Sequence, residues 1–125
     1  MKINIHFQSG YSVDAEIMEN ETGKAIYHAL PFEAFVNTWG DEIYFPVPAQ
    51  QKLEPGAKAE VSVGDLAYWP PMPAFCIFFG KTPVSSGNQP VAASAVNVFG
   101  RLLEIDLQAL RNVPDGTKVW IEKKD

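Results

Sequence analysis

The acidic residue at position 42 is the group in this sequence best placed to carry chemistry. Glu42 lies in an aromatic run, with Trp39 before it and Ile43 and Tyr44 directly after it. A carboxyl group enclosed by apolar side chains resists ionisation, so its pKa rises and it can serve as a general acid or base. Strand alternation places Glu42 and Tyr44 on one face, where we expect the phenol to donate a hydrogen bond to the carboxylate. The alternative is a solvated strand-end carboxylate, which leaves Glu42 a weak catalytic candidate.

Aromatic and amide side chains surround this residue in the sequence pattern. Trp39, Tyr44 and Trp69 are candidates for apolar contact with a ligand, and Trp69 stands at a predicted strand end, where binding sites are common. Asn37 and Asn97 are candidates for the polar groups that orient such a ligand. The alternative is that the aromatic residues belong to the core.

The remaining reactive residue types do not form a recognisable site. The chain has one cysteine, Cys76, and two histidines, His6 and His28, in no ligand spacing. We therefore expect no metal site and no cofactor. Cys76 stands between apolar neighbours, which is typical of an inert buried thiol. No phosphate-binding loop, nucleophile elbow or dinucleotide fingerprint is present in the sequence.

Composition restricts the classes of partner. The chain has 125 residues, a size typical of one domain spanning 1–125, and a net charge of −5. An acidic chain without a basic stripe is not expected to bind nucleic acid. No apolar run is long enough to cross a membrane, and the alternating N-terminus does not resemble a signal peptide. With a single cysteine, the expected location is the cytoplasm.

Period-two patterns dominate the chain and predict a mainly β protein. Alternating or continuous apolar segments predict eight strands, at 1–7, 11–17, 42–45, 59–63, 66–69, 74–79, 95–103 and 117–122. Helical spacing predicts one helix near 22–30, capped by Asn20 or Thr22, and a shorter one near 106–112, capped by Asp106. The segment 32–39 is ambiguous between loop and strand. Many short strands favour a closed barrel or a sandwich.

Four segments resemble a family of small bacterial and archaeal cyclophilin-like proteins. They are Val36–Phe45, Tyr68-Trp69-Pro70-Pro71, Phe75–Pro83 and Ala93–Gly100, and their order and spacing follow that family along nearly the whole chain. The resemblance implies a closed antiparallel β-barrel of eight strands with one or two short helices over its ends.

The same resemblance speaks against cyclophilin catalysis. Cyclophilins isomerise X–Pro bonds with an arginine on a barrel strand, but the matching strand here, 42–46, has none, and the only arginines are Arg101 and Arg111. Phe79 matches a cyclophilin pocket phenylalanine, which adds it to the candidate ligand-binding residues, whereas Ile77 stands where cyclophilins have a glutamine. Loss of a preorganised donor of this kind typically removes about 2.7–4 kcal/mol of barrier lowering.

The preferred interpretation is therefore a cyclophilin-like barrel that binds a small molecule or a short peptide in an aromatic pocket. One alternative is a prolyl isomerase with a rearranged site, whose support is the fold resemblance and Phe79. The other is a structural or protein-interaction module, with the loop 81–90 as its contact surface.

Overall fold

The computed structural model describes residues 1–124. Its helices are α1 (Glu21–His28) and α2 (Leu107–Arg111). Its strands are β1 (Lys2–Phe7), β2 (Ser12–Ile17), β3 (Phe32–Phe35), β4 (Asn37–Thr38), β5 (Glu42–Pro46), β6 (Lys58–Glu60), β7 (Asp65–Trp69), β8 (Ala74–Phe78), β9 (Val91–Leu102) and β10 (Lys118–Lys124). The protein is thus mainly β with two short helices, as the sequence predicts.

The strands form one antiparallel sheet in the order β3-β10-β1-β2-β9-β7-β8-β5-β4, with β6 paired to β9. The predicted number of eight strands is wrong, because the ambiguous segment supplies two more, β3 and β4. The sheet is also not closed. β4 occupies the free edge of β5 at Ile43 and Tyr44, and Pro46, two residues after Tyr44, has no amide hydrogen to offer β3. β3 still approaches β5, since the rings of Phe32 and Phe45 are 6.2 Å apart.

Side-chain chemistry explains where the elements begin. In β1 the alternate residues Ile3, Ile5 and Phe7 are fully buried, which confirms the period-two pattern. The amide oxygen of Asn20 accepts a hydrogen bond from the Gly23 amide at 2.8 Å and caps α1. The carboxylate of Asp106 accepts one from the Ala109 amide at 3.0 Å and caps α2.

Apolar side chains fill both faces of the sheet around β8, whose five residues are all buried. The inner face carries the main core, to which β8 contributes Phe75 and Ile77. The outer face carries a second, smaller cluster, to which it contributes Cys76 and Phe78. A strand covered on both faces needs no polar alternate residues, which explains the continuous apolar run. The first half of β9 covers the outer face with Ala92 and Val96.

Candidate functional site

A short hairpin places Trp39 and Glu42 side by side. Their backbones exchange two hydrogen bonds, Trp39 N–H to Glu42 O at 2.9 Å and Glu42 N–H to Trp39 O at 3.2 Å. The intervening turn has Gly40 at φ +59° and no positive φ at Asp41, an arrangement typical of hairpins with glycine at the first turn position. Paired residues in an antiparallel ladder project to the same face. Trp39 and Glu42 therefore both face outward.

These side chains line a pocket on the outer face of the sheet. Its wall consists of Trp39, Glu42, Tyr44, Trp69, Ala92, Ala93 and Val96, and its volume is about 240 Å³. Small side chains on β9 leave the space open opposite β5. The indole N–H of Trp69 donates to Ser94 Oγ at 2.8 Å, which fixes this ring against β9. Such a volume lies just below the range of roughly 300–1,000 Å³ typical of ligand sites, so it suits one small group.

Glu42 is the buried titratable group of this pocket. Glu42 is only 6% exposed to solvent. Burial raises the pKa of the Glu42 carboxyl from 4.5 to about 7, and a hydrogen bond from the Cys76 thiol opposes part of that rise. Burial, followed by the charge of Glu42, raises the pKa of the Tyr44 phenol. At neutral pH the pocket therefore holds a carboxyl group close to its midpoint of ionisation.

The polar group that acts on Glu42 differs from the one expected. Tyr44 lies on the same face as predicted, but it is the thiol of Cys76 on β8 that lowers the pKa of the Glu42 carboxyl. The ladder explains this contact, because Cys76 pairs directly with Tyr44 and so lies diagonally beside Glu42. Burial and the charge of Glu42 raise the pKa of the Cys76 thiol well above its ordinary value. The thiol therefore stays protonated at neutral pH.

Three of the seven candidate ligand-binding residues lie outside the pocket wall. Asn37 pairs with Tyr44 across β4 and β5 and flanks the pocket without lining it. Phe79 packs in the main core on the inner face. Asn97 pairs with Tyr68 of that same core, so it too lies on the inner side.

Asn97 is fully engaged in holding the loop after β5. Its amide oxygen accepts from the Glu54 amide at 2.8 Å, and its amide nitrogen donates to Lys52 O at 2.8 Å and to Thr22 Oγ1 at 3.1 Å. The Thr22 hydroxyl in turn donates to the Glu54 carboxylate. This network ties α1, β9 and the loop together. It leaves the Asn97 side chain no free donor for a ligand.

Three residues of the pocket wall were not predicted from the sequence. Ala92, Ala93 and Val96 come from the first half of β9, and only their run of small side chains hinted at space above the sheet. The two arginines do not enter the pocket wall. Arg111 pairs with Asp41 at 3.0 Å, which joins α2 to the turn beside Glu42.

The loop 81–90 carries its own hydrogen bonds. Thr82 is buried, and its hydroxyl donates to Val91 O at 2.5 Å. The Ser85 hydroxyl donates to Gln89 O at 2.8 Å and accepts from the Thr82 amide at 3.0 Å. In residues 1–124, no helix is both long and apolar enough to cross a membrane, and no group of three or more acidic, histidine or cysteine residues could hold a metal ion.

Comparison with known proteins identifies the class to which this fold and pocket belong. The sequence model of the cyclophilin-like family matches residues 1–122, so the chain belongs to the cyclophilin-like family. The solution structure of the hypothetical protein AF2241 from Archaeoglobus fulgidus is similar, with a TM-score of 0.82 and 41% sequence identity over 99% of this chain and 95% of that one. A search of curated protein sequences gives no significant match.

Proposed function

We propose that this protein binds a small molecule or one side chain of a short peptide in the outer pocket. The observation that carries the proposal is a half-open apolar pocket in which three large aromatic side chains enclose one buried carboxyl group. Apolar walls with a few placed polar groups are the usual composition of ligand sites. Titratable groups shifted by burial also concentrate at such sites.

Each wall element has a separate part in this function. Trp39, Tyr44 and Trp69 supply contact area, and the hydrogen bond from Trp69 to Ser94 holds its ring in place before a ligand arrives. Glu42 supplies the one strong polar contact. Preorganised rings reduce the ordering cost of binding, which is the main loss a small ligand must overcome.

Binding rather than turnover is favoured because no cation is in the pocket wall to polarise a substrate carbonyl. The residues that line it carry one acidic group and no basic group.

We treat the chain as one cyclophilin-like domain, which the family match over residues 1–122 supports. The free thiol of Cys76 supports the cytoplasmic location. The curled sheet, in which β3 approaches β5 at Phe32 and Phe45, supports a barrel-like shape.

A fragment screen read by tryptophan fluorescence and amide NMR tests the proposal. The background variant is Trp120→Phe, since Trp120 lies on β10 with its ring 5.5 Å from that of His6, away from the pocket wall. The remaining signal then comes from Trp39 and Trp69. We expect some fragments to shift this signal saturably and to lose their effect in Trp69→Ala. If no fragment perturbs either tryptophan, the protein has no pocket function.

A prolyl tetrapeptide assay coupled to a protease separates binding from catalysis. We expect no turnover above the uncatalysed rate. Turnover at the level of a cyclophilin would replace the binding proposal with the isomerase alternative.

A further inference from the structure

The chemistry of the pocket wall selects one class of ligand. We infer that the outer pocket binds a methylated ammonium group, the charged end of an organic cation, with Trp39, Tyr44 and Trp69 around it and the Glu42 carboxylate against it. This inference rests on the proposed function and names the ligand class of the same pocket.

The three rings are free to receive a cation. The cation–π contacts found in residues 1–124 are Lys118 over Trp120 and Lys123 over Tyr27, and neither involves the pocket. The close ring pairs of this part of the chain also leave the pocket aromatics out. A cation over a tryptophan or tyrosine face gains roughly 0.5–1 kcal/mol when exposed and about 2 or more when desolvated. Several free rings around one small space therefore favour a cationic occupant.

The carboxylate lacks a positive partner. The ion pairs formed within residues 1–124 leave Glu42 out, and the adjacent Asp41 is already paired with Arg111. The titratable groups near Glu42 are the Cys76 thiol on β8 and the Tyr44 phenol on β5. The β9 side of the pocket contributes uncharged residues. An enclosed carboxylate without a counter-ion is unfavourable, and a bound cation supplies that counter-ion.

Other cations match this site poorly. Calcium and magnesium require about six or more oxygen ligands in total, and the pocket wall offers a single carboxylate. A bare ammonium is compact and strongly hydrated, so apolar ring faces do not replace its water shell. A methylated ammonium presents its methyl groups to the rings and its charge to Glu42. The pocket, at about 240 Å³, has room for one such head group.

A pair of probes that differ only in charge tests the inference. Choline and its uncharged carbon analogue, 3,3-dimethylbutan-1-ol, are titrated into the Trp120→Phe protein in phosphate buffer at constant ionic strength and at pH 5, 6, 7 and 8. We expect saturable choline binding at pH 8 and a loss of roughly tenfold or more by pH 5, because protonation of Glu42 competes with the cation. The analogue should bind at least about tenfold more weakly at pH 8.

The variant Glu42→Gln provides the second arm, since it keeps the shape and removes the charge. It should weaken choline binding at pH 8 to about the level that the natural protein shows at pH 5, and abolish its pH dependence, while the ring faces still favour choline over the neutral analogue. A trimethyllysine derivative with blocked termini, compared with choline, separates a peptide side chain from a free small molecule as the source of the cation.

The outcomes distinguish the inference from the function on which it rests. Binding of the analogue as tightly as choline, or choline binding unchanged in Glu42→Gln, overturns the cation inference but leaves a working pocket. Failure of both probes, together with a fragment screen that moves neither Trp39 nor Trp69, overturns both.

Discussion

Replacing Glu42 with glutamine should stabilise the protein above pH 7 and leave its stability nearly unchanged near pH 4. In the folded protein, burial raises the pKa of this carboxyl from 4.5 to about 7. Between these two pH values the folded state binds more protons than the unfolded chain, so stability falls as the pH rises. Glutamine has nearly the same shape and no charge to lose. The variant therefore does not lose this stability as the pH rises.

The size of the effect follows from the same two values. Each pKa unit corresponds to about 1.4 kcal/mol, so the change from 4.5 to about 7 is worth about 3 kcal/mol. The stabilising contribution of the protonated carboxyl is complete below pH 4.5 and is lost progressively as the pH passes through about 7. The difference in unfolding free energy between the variant and the natural protein should grow over this interval and then level off.

Urea unfolding at pH 4, 5, 6, 7 and 8 measures that difference, and urea is preferred because it does not screen charges. The matched control is Glu60→Gln, which removes the charge of an exposed carboxyl on β6. An NMR titration of the Glu42 side-chain carboxyl carbon gives its pKa directly. A free-energy difference that stays flat from pH 4 to 8, with a titration midpoint near 4.5, would refute the reasoning and leave Glu42 a solvated carboxylate.

Three further changes test other contacts. Cys76→Ala removes the thiol that lowers the pKa of the Glu42 carboxyl, so the NMR midpoint of Glu42 should move upward, and an unchanged or lower midpoint contradicts that effect of the thiol. Asn97→Ala should lower the unfolding free energy in urea by about 1–3 kcal/mol, because it removes three hydrogen bonds, one of them to the buried Thr22 hydroxyl; a loss below ~0.5 kcal/mol argues against the network. Gly40→Ala should destabilise more than Gly56→Ala, measured in the same way. Both glycines have positive φ, but an added Cβ meets a backbone oxygen at 2.8 Å only at Gly40, so equal losses contradict the close contact.

The elements that depend on local pattern could be predicted from the sequence. Alternation along β1 and β2 identifies the buried faces, because a half-buried strand must place its apolar residues on one side. Asn20 and Asp106 cap their helices, since short side chains with oxygen acceptors satisfy free amide groups wherever a helix begins. The strand count failed at 32–38, because β3 becomes a strand only by pairing with the distant β10, and β4 is a two-residue strand that pairs with β5 across the short turn.

Only the side of the pocket formed by Trp39 and Glu42 could be predicted from the sequence. Gly40-Asp41 is a local turn signal, so the pairing of Trp39 with Glu42 follows from neighbours in the chain. The approach of Trp69 to the same space depends on how distant strands pair, which no local pattern determines. Strand alternation alone could have excluded Phe79 from the pocket. It is three positions from Cys76 and therefore lies on the opposite face of the sheet.

Asn97 shows why the position of some candidate residues does not follow from the sequence pattern. β9 pairs with β7 through an irregular register, in which Leu66 faces Gly100 but Ala67 faces Val98. One extra residue in a strand changes the face of every residue beyond it. Period-two counting through such a bulge gives the wrong side, and nothing in the sequence around Gly100 marks the position of the bulge unambiguously.

The energetics of Glu42 link the stability and binding experiments. An unpaired carboxyl lowers the stability of the free protein by about 3 kcal/mol above pH 7. A bound cation stabilises the folded state by mass action and favours the ionised carboxyl. With choline at a fixed concentration, the stabilisation should therefore increase over the interval in which the free protein loses stability. The stability of the choline-saturated protein should then depend less on pH than the stability of the free protein. With an uncharged occupant, the bound and the free protein should show the same pH dependence. Thermal unfolding with and without choline at pH 5 and pH 8 measures this difference, and Glu42→Gln should show none of it.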